Sequence, residues 1–286
     1  MLAALGGEPM ASLRSVVSVL AASRGLRPWH NRDLSELAAE AVRLAAATPQ
    51  LVEMVLHRRP PLARDESAGY AERYLWGVLG SRPEPPLVRA LDAYLILTAD
   101  HGMNASTFAA RVAASTGADA GAALVAAIAT LSGPLHGGAP GPVLDMLDAV
   151  HSREEARRWI SAELGAGRRL MGFGHRVYRV DDPRAVALRK VANAIGGPRV
   201  ELAGAVEQEA LSALAVLKPS RPLLTNVEFW TALVLERCGI PRPGFSLTFT
   251  TSRMAGWTAH LTEQASHNRL IRPTADYTGP MPPARS

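Results

Sequence analysis

Three histidines of the 286-residue sequence stand in glycine-containing breaks next to apolar, helix-like runs. His101 lies in Ala99-Asp-His-Gly-Met-Asn104, His136 in Gly133-Pro-Leu-His-Gly-Gly138, and His175 in Met171-Gly-Phe-Gly-His. Glycine permits a sharp turn and close approach of a ligand to the backbone, and proline ends a preceding helix. A neutral imidazole held there can donate to a carbonyl oxygen and polarise it. For one His-Gly-Gly alone, a helix C-cap followed by a surface histidine is an equally good account. Other residue types converge on the same chemistry. Arg184, Arg253 and Arg272 can grip carboxylates, because the guanidinium fork pairs with them bidentately. Glu228 is the second residue after Asn226, a helix-capping type. A helix N-terminus favours the ionised carboxylate, so Glu228 can serve as a base. Zinc is the competing use of three histidines. The sequence has no His-x-x-x-His pair and only one cysteine, so no metal site is assigned.

Composition narrows the classes. Hydrophobic residues make up 48% of the chain and aromatics 5%, with Ala and Leu dominant, which favours helix over strand. The net charge is +5, carried by arginine; the lysines are Lys190 and Lys218. The arginines are spread along the chain and form no basic stripe, so a nucleic-acid partner is not expected. They are read as available to anionic small molecules. No apolar run reaches the roughly 20 residues of a membrane span. The apolar stretch Val16 to Ala22 is short and interrupted by Ser18. With the lone Cys238, this favours a reduced, cytoplasmic setting.

The elements that must position these residues read as helices throughout, and the fold class is all-α. Apolar periodicity predicts helices from Ala11 to Arg24, from Asp33 with Glu36 in the capping-box position, and a new one starting at Pro49. Arg58-Arg-Pro-Pro61 breaks the last of these, and 60–67 reads as a polar loop. Helices follow over Tyr70 to Leu79, from Pro86 into the His101 break, from an Asn104 or Ser106 cap to about Thr116, and from Ala118 to Leu131. Pro142 to Val150 is helical, and Ser152 with Glu155 makes a second capping box. Asp182-Pro183 is a cap followed by proline at the first helical position. Further helices are expected at 184–195, 200–217, from Asn226 to Gly239, and from Phe245 to Gln264, followed by an extended tail.

Taken together and in order, these stretches resemble the citrate synthase family. The matching motifs are Ala-Asp-His101 with Asn104-Ala-Ser-Thr, Gly-Pro-Leu-His136-Gly-Gly, and Gly-Phe-Gly-His175-Arg-Val-Tyr. They continue with Asp-Pro-Arg184, Asn226-Val-Glu228-Phe, Ser252-Arg253-Met-Ala-Gly-Trp257, and Arg272-Pro before Tyr277-Thr-Gly. The resemblance covers essentially the whole chain, and several ordered motifs are far more specific than one.

The resemblance implies an all-helical homodimer with a large domain (1–151 and 243–286) and a small domain (152–242) closing over substrate. It implies condensation of acetyl-CoA, or a short homologue such as propionyl-CoA, with oxaloacetate. CoA is a co-substrate, and no permanently bound cofactor is implied. By the same resemblance His136 stabilises the enol of the thioester and Glu228 takes its proton. His175 polarises the ketone and His101 binds the same substrate. Arg184 and Arg253 hold carboxylates, Arg272 does so from a partner subunit, and Arg221 is a candidate contact for CoA phosphate. Three departures stand out. Glu228 occupies a position where the family usually has Asp, Gly102 follows His101 where an acidic residue is usual, and Pro222 replaces a basic residue. Family members also carry roughly 80–100 more residues before the first helix, a segment that a separate chain could supply. A catalytically weakened relative that senses a dicarboxylate or CoA, or acts as a partner subunit, is the alternative.

Overall fold

The computed structural model describes residues 7–65, 67–137, 140–175, 178 and 180–280. Gly138, Arg176 and Val177 of the motifs above lie outside the described residues. Among the described residues the chain forms twelve α-helices and no strand. These are α1 Pro9–Ser23, α2 Leu34–His57, α3 Tyr70–Leu79, α4 Pro85–Thr98, α5 Ala105–Ser115 and α6 Ala120–Leu131. Then come α7 Pro140–Asp148, α8 Arg153–Gly165, α9 Pro183–Ile195, α10 Pro198–Leu217, α11 Val227–Arg237 and α12 Phe245–Ser266.

α12 is the axis of the first layer. Leu247, Met254, Trp257 and Leu261 are fully buried, and α2, α4, α5 and α6 pack around it. Helix α11 is buried over nearly its whole length and packs on α9, α7 and α4, with α8 and α10 paired beyond. α4 touches both α12 and α11, so side chains at its C-terminal end reach the seam between the two groups.

Most helix starts follow their caps. Asp33, Asn104, Asp119, Ser152, Asp182 and Asn226 each accept a backbone N–H of the first turn. Neither capping box closes reciprocally, however. Glu36 pairs with Arg32 at 2.9 Å, and Glu155 accepts the N–H of His151 at 2.8 Å, one residue before its cap. The expected helix start at Pro49 is also overturned: α2 runs straight through it. A proline inside a helix leaves the carbonyl four residues back without its donor. Here that carbonyl, Ala45 O, accepts the Tyr70 hydroxyl of α3 at 3.3 Å.

Candidate active site

His101 sits in the turn between α4 and α5. Asn104 ends that turn, its Oδ1 accepting the N–H groups of Ser106 and Thr107 at 3.1 Å each. His136 sits in the turn after α6, where the N–H groups of His136 and Gly137 both donate to Gly133 O. A Cβ on Gly137 would lie 2.3 Å from Leu131 O, so only glycine fits this fold-back. The His136 Nε2 lies 2.8 Å from the buried Ser106 Oγ. That hydroxyl also lies 2.8 Å from Asn104 Oδ1 and receives the Trp257 indole N–H at 3.3 Å. Ser106 has one proton and two acceptors facing it. Given to Asn104, it requires the proton on His136 Nε2; turned to Nε2, it moves the imidazole proton to Nδ1. The serine rotor thereby selects the tautomer of His136.

The loop of His175 is sewn to the start of α11. Gly174 N donates to Leu224 O at 2.7 Å, Asn226 N to Gly172 O at 2.9 Å, and the Asn226 amide to Gly174 O at 3.0 Å. The same asparagine caps α11 through the Glu228 N–H at 3.0 Å, so one side chain spaces His175 from Glu228. Tyr178 N–H donates to His175 Nδ1 at 3.1 Å. Arg184 Nη2 lies 3.3 Å from His175 Nε2. The guanidinium and the imidazole thus meet at one wall of the cavity.

Arg184 is fixed by Asp182, which also accepts the Val227 N–H at 3.2 Å and so ties α9 to α11. Burial alone would raise the Asp182 carboxyl, but Arg184 outweighs it and holds it below the ordinary range. Arg253 is different. It is 1% exposed, its Nε donates to Thr98 O at 2.9 Å, and its guanidinium carbon sits 4.7 Å from the Phe249 ring centre. Among the described residues no carboxylate lies within ion-pair distance of it. Burial pulls its pKa down to about 10. A buried cation without a counter-ion is costly unless an anion arrives to pair with it.

Glu228 has no hydrogen-bond or ion-pair partner for its carboxyl among the described residues. Burial pushes its pKa up to about 7, against the lowering pull of Arg184. The sequence-based expectation that the helix N-terminus would favour the ionised form is therefore corrected: burial raises the carboxyl above its ordinary value. The three histidines move the other way. Burial, with Arg184, His175 and Arg253 adding to it, lowers His101 to about 4. Burial also lowers His136, with Arg253 as a second cause, and His175, with Arg184. All three are neutral imidazoles near pH 7.

His101, His136, His175, Arg184, Glu228 and Arg253 line one cavity of about 120 Å³. Tyr94, Thr98, Asn226, Thr231 and Phe249 are also part of its wall. It is smaller than the roughly 300–1,000 Å³ of a drug-sized ligand pocket, a size suited to a small acid. Arg221 and Arg272 are exposed and outside the lining. An open trough between α2 and α12 is larger, about 430 Å³, but carries only Glu263 as a titratable group. Among the described residues no cluster of His, Cys, Asp and Glu suits a metal ion, and no helix is long and apolar enough to cross a membrane. Sequence reading passed over Tyr94, Thr98, Thr231 and Phe249, which sit at ordinary helical spacing. Of these, Thr98 alone carries a sequence signal, its place one turn before His101.

The family model for the citrate synthase C-terminal domain matches residues 2–274. The chain belongs to the citrate synthase family. It is 51% identical over 218 residues to a putative citrate synthase 2 of Mycobacterium tuberculosis, covering 76% of this chain and 58% of that protein. It thus spans less than two thirds of the length of that mycobacterial relative. It is 39% identical to citrate synthase 2 of Bacillus subtilis over 96% of this chain and 73% of that one. It is 36% identical to a 2-methylcitrate synthase of Mycobacterium tuberculosis over 95% and 68%. Among solved structures, citrate synthase of Thermoplasma acidophilum, in ternary complex with carboxymethyl coenzyme A and oxaloacetate, matches with a TM-score of 0.86. That match has 30% sequence identity and covers 99% of this chain and 76% of the other. The all-helical class is that of the citrate synthase fold.

Proposed function

We propose that this chain condenses a short acyl-CoA with oxaloacetate or a close 2-oxo acid. The observation that carries this reading is Arg253, a buried guanidinium with no carboxylate partner among the described residues, facing a cavity that also holds three neutral imidazoles and one enclosed carboxyl. A 2-oxo acid suits it: a carboxylate supplies the counter-ion, and a ketone oxygen supplies the acceptor between His175 and Arg184. His101 borders the same space and contributes to holding the acid.

A methyl next to a thioester is a weak acid, so a base and a stabiliser for the enol must act together. Glu228 removes the proton and His136 donates to the forming enol oxygen. The enol carbon attacks the ketone carbon while His175 stabilises the growing negative charge on its oxygen. Water then hydrolyses the thioester and releases CoA. Acetyl-CoA gives citrate; propionyl-CoA gives 2-methylcitrate, the product in the name of one relative. The reading includes a cytoplasmic homodimer, with a small domain over 152–242 closing on the rest. It also includes Arg272 reaching the substrate of a neighbouring subunit and Arg221 meeting CoA phosphate. Closure would keep water out until the carbon–carbon bond forms.

Glu228 favours one second reading. It is one methylene longer than the family's usual Asp, and misplacement by about an ångström can cost on the order of 100-fold in rate. A chain so slowed could bind the dicarboxylate as a sensor or partner subunit. The test pairs calorimetric titration of oxaloacetate with thiol release from acetyl-CoA and oxaloacetate. Binding with release supports the enzyme, binding without release supports the sensor, and absence of both overturns the proposal.

A further inference from the structure

The His101 ring packs edge-on against His175, with centres 5.2 Å apart, and lies 5.6 Å from Tyr178. Among the described residues it makes no hydrogen bond of its own. Its aim into the cavity therefore depends on the backbone of the 99–102 turn. Gly102 gives that turn a left-handed residue, with φ +54 and open space around it, so nothing steric holds it. The hold is chemical. Asp100 Oδ2 accepts the Gly102 N–H at 2.9 Å, and the N–H of His101 also points at this carboxylate.

Asp100 is held in turn from α12. Its Oδ1 lies 3.2 Å from His260 Nε2. On the far side, His260 Nδ1 lies 3.0 Å from Arg111 Nη1. Arginine only donates, so Nδ1 is the acceptor and the imidazole proton sits on Nε2, directed at Asp100. Arg111 is itself fixed, Nε to Gln264 Oε1 at 3.0 Å and Nη1 to Glu263 Oε2 at 2.5 Å. The chain of bonds runs in one direction, from α5 through α12 to the turn. A second tie keeps the register: Gly256 N donates to Ala99 O at 3.1 Å, where a Cβ on residue 256 would come within 2.4 Å of that oxygen.

We propose that Asp100 and His260 are positioning residues for His101, setting affinity for the 2-oxo acid without touching it. This rests on the function proposed above, in which His101 binds that acid. Neither residue lines the cavity. Asp100 is half-exposed, so its pairing contributes little to global stability and its removal reads out in binding.

Three variants separate the proposal from plain destabilisation. In Asp100→Asn the amide keeps the volume, and its oxygen still accepts from Gly102. Its NH₂ then faces the Nε2–H of His260, donor against donor, and Arg111 prevents the tautomer from switching. His260→Leu removes the bond. His260→Gln restores an acceptor for Arg111 and a donor for Asp100. The probe is oxaloacetate, titrated calorimetrically, with both Michaelis constants measured alongside. The first two variants are expected to bind oxaloacetate about 10- to 100-fold more weakly. Their KM for acetyl-CoA is expected to stay within about twofold and Tm within about 3 °C. His260→Gln is expected to recover most of the affinity. If His260→Leu fails to fold, Asp100→Asn carries the test. Unchanged oxaloacetate affinity in Asp100→Asn, or equal losses for both substrates, overturns the positioning role. Failure of the unaltered protein to bind oxaloacetate instead overturns the function it rests on.

Discussion

Arg184 and Arg253 face one cavity in opposite electrostatic states. Asp182, at 2% exposure, meets Arg184 at two points, Nε to Oδ1 at 3.0 Å and Nη2 to Oδ2 at 2.8 Å. Arg253 has a carbonyl and an aromatic ring and, among the described residues, no acid within ion-pair distance. The Arg184 charge is balanced before any ligand arrives, and the Arg253 charge is what the cavity offers to an anion.

Replacing Arg253 by methionine should therefore separate stability from binding. Its folded pKa of about 10 is below that of a free arginine, so the protonated form is penalised in the fold at neutral pH. Relief of that penalty is worth on the order of 1–3 kcal/mol, offset in part by the lost bond to Thr98 O. The ligand-free variant should melt at or slightly above the parent temperature. On the proposed function oxaloacetate should raise the Tm of the parent, and in the variant that rise should vanish. Scanning calorimetry with and without oxaloacetate decides it; an undiminished ligand-induced rise would mean that the anion sits elsewhere.

On the proposed function, Glu228 should set the acid limb of activity. Its pKa of about 7 means that the basic form is lost as pH falls below neutrality. Turnover should rise with pH through about 7 and level off above. Glu228→Gln should lower the rate by about 10²–10⁴ while keeping oxaloacetate affinity, since the grip lies on other residues. A single-turnover pH profile checks both points. A limb that survives unchanged in the glutamine variant would assign it to another group.

Helix caps and helix ends were readable from sequence because each rests on local chemistry. Asn104 and Asn226 accept the first free N–H groups, and Pro183 needs no donor at its position. Pro49 was not readable, because the hydroxyl that takes up the orphaned Ala45 carbonyl comes from Tyr70, 25 residues away. The same limit applies to the site. Its histidines and arginines announced themselves by type and by flanking glycines. Tyr94, Thr231 and Phe249 look like any core-facing helical residue until two helices meet. The direction of the Glu228 pKa is hidden in the sequence for a related reason: capping is local and visible, whereas desolvation depends on what encloses the side chain.

His101 and Glu228 should pull the pH dependence of stability in opposite directions. For His101 the folded pKa of about 4 lies below the unfolded value of about 6.5. The unfolded chain binds the proton first, so this contribution is present above pH 6.5 and lost as pH falls toward 4. For Glu228 the folded pKa is raised from 4.5 to about 7. The folded state there binds the proton first, so stability is gained as pH falls from 7 and is fully present below 4.5. The two slopes partly cancel in the parent protein. Glu228→Gln should steepen the loss of stability between pH 7.5 and 5, and His101→Asn should flatten it. Urea midpoints at the two pH values test the sign. A change of slope in the reverse sense would show that these groups do not dominate the linkage.

Gly137 gives a steric test of the turn that presents His136. An alanine Cβ there would lie 2.3 Å from Leu131 O and 2.9 Å from the Leu131 side chain, closer than real contacts allow. The backbone of 136–137 must move, and His136 with it, away from Ser106. Gly133, four residues earlier, is a matched control: its added Cβ would meet only Thr130 O, at an ordinary 3.4 Å. Gly137→Ala should cost about 1–3 kcal/mol of stability, as overpacking does. It should lower turnover about 100-fold through the displaced imidazole. Oxaloacetate binding should persist, because Arg184, Arg253 and His175 stand on other elements. Gly133→Ala should leave turnover and Tm near the parent values. If both alanines behave alike, the close approach at Gly137 is not what aims His136.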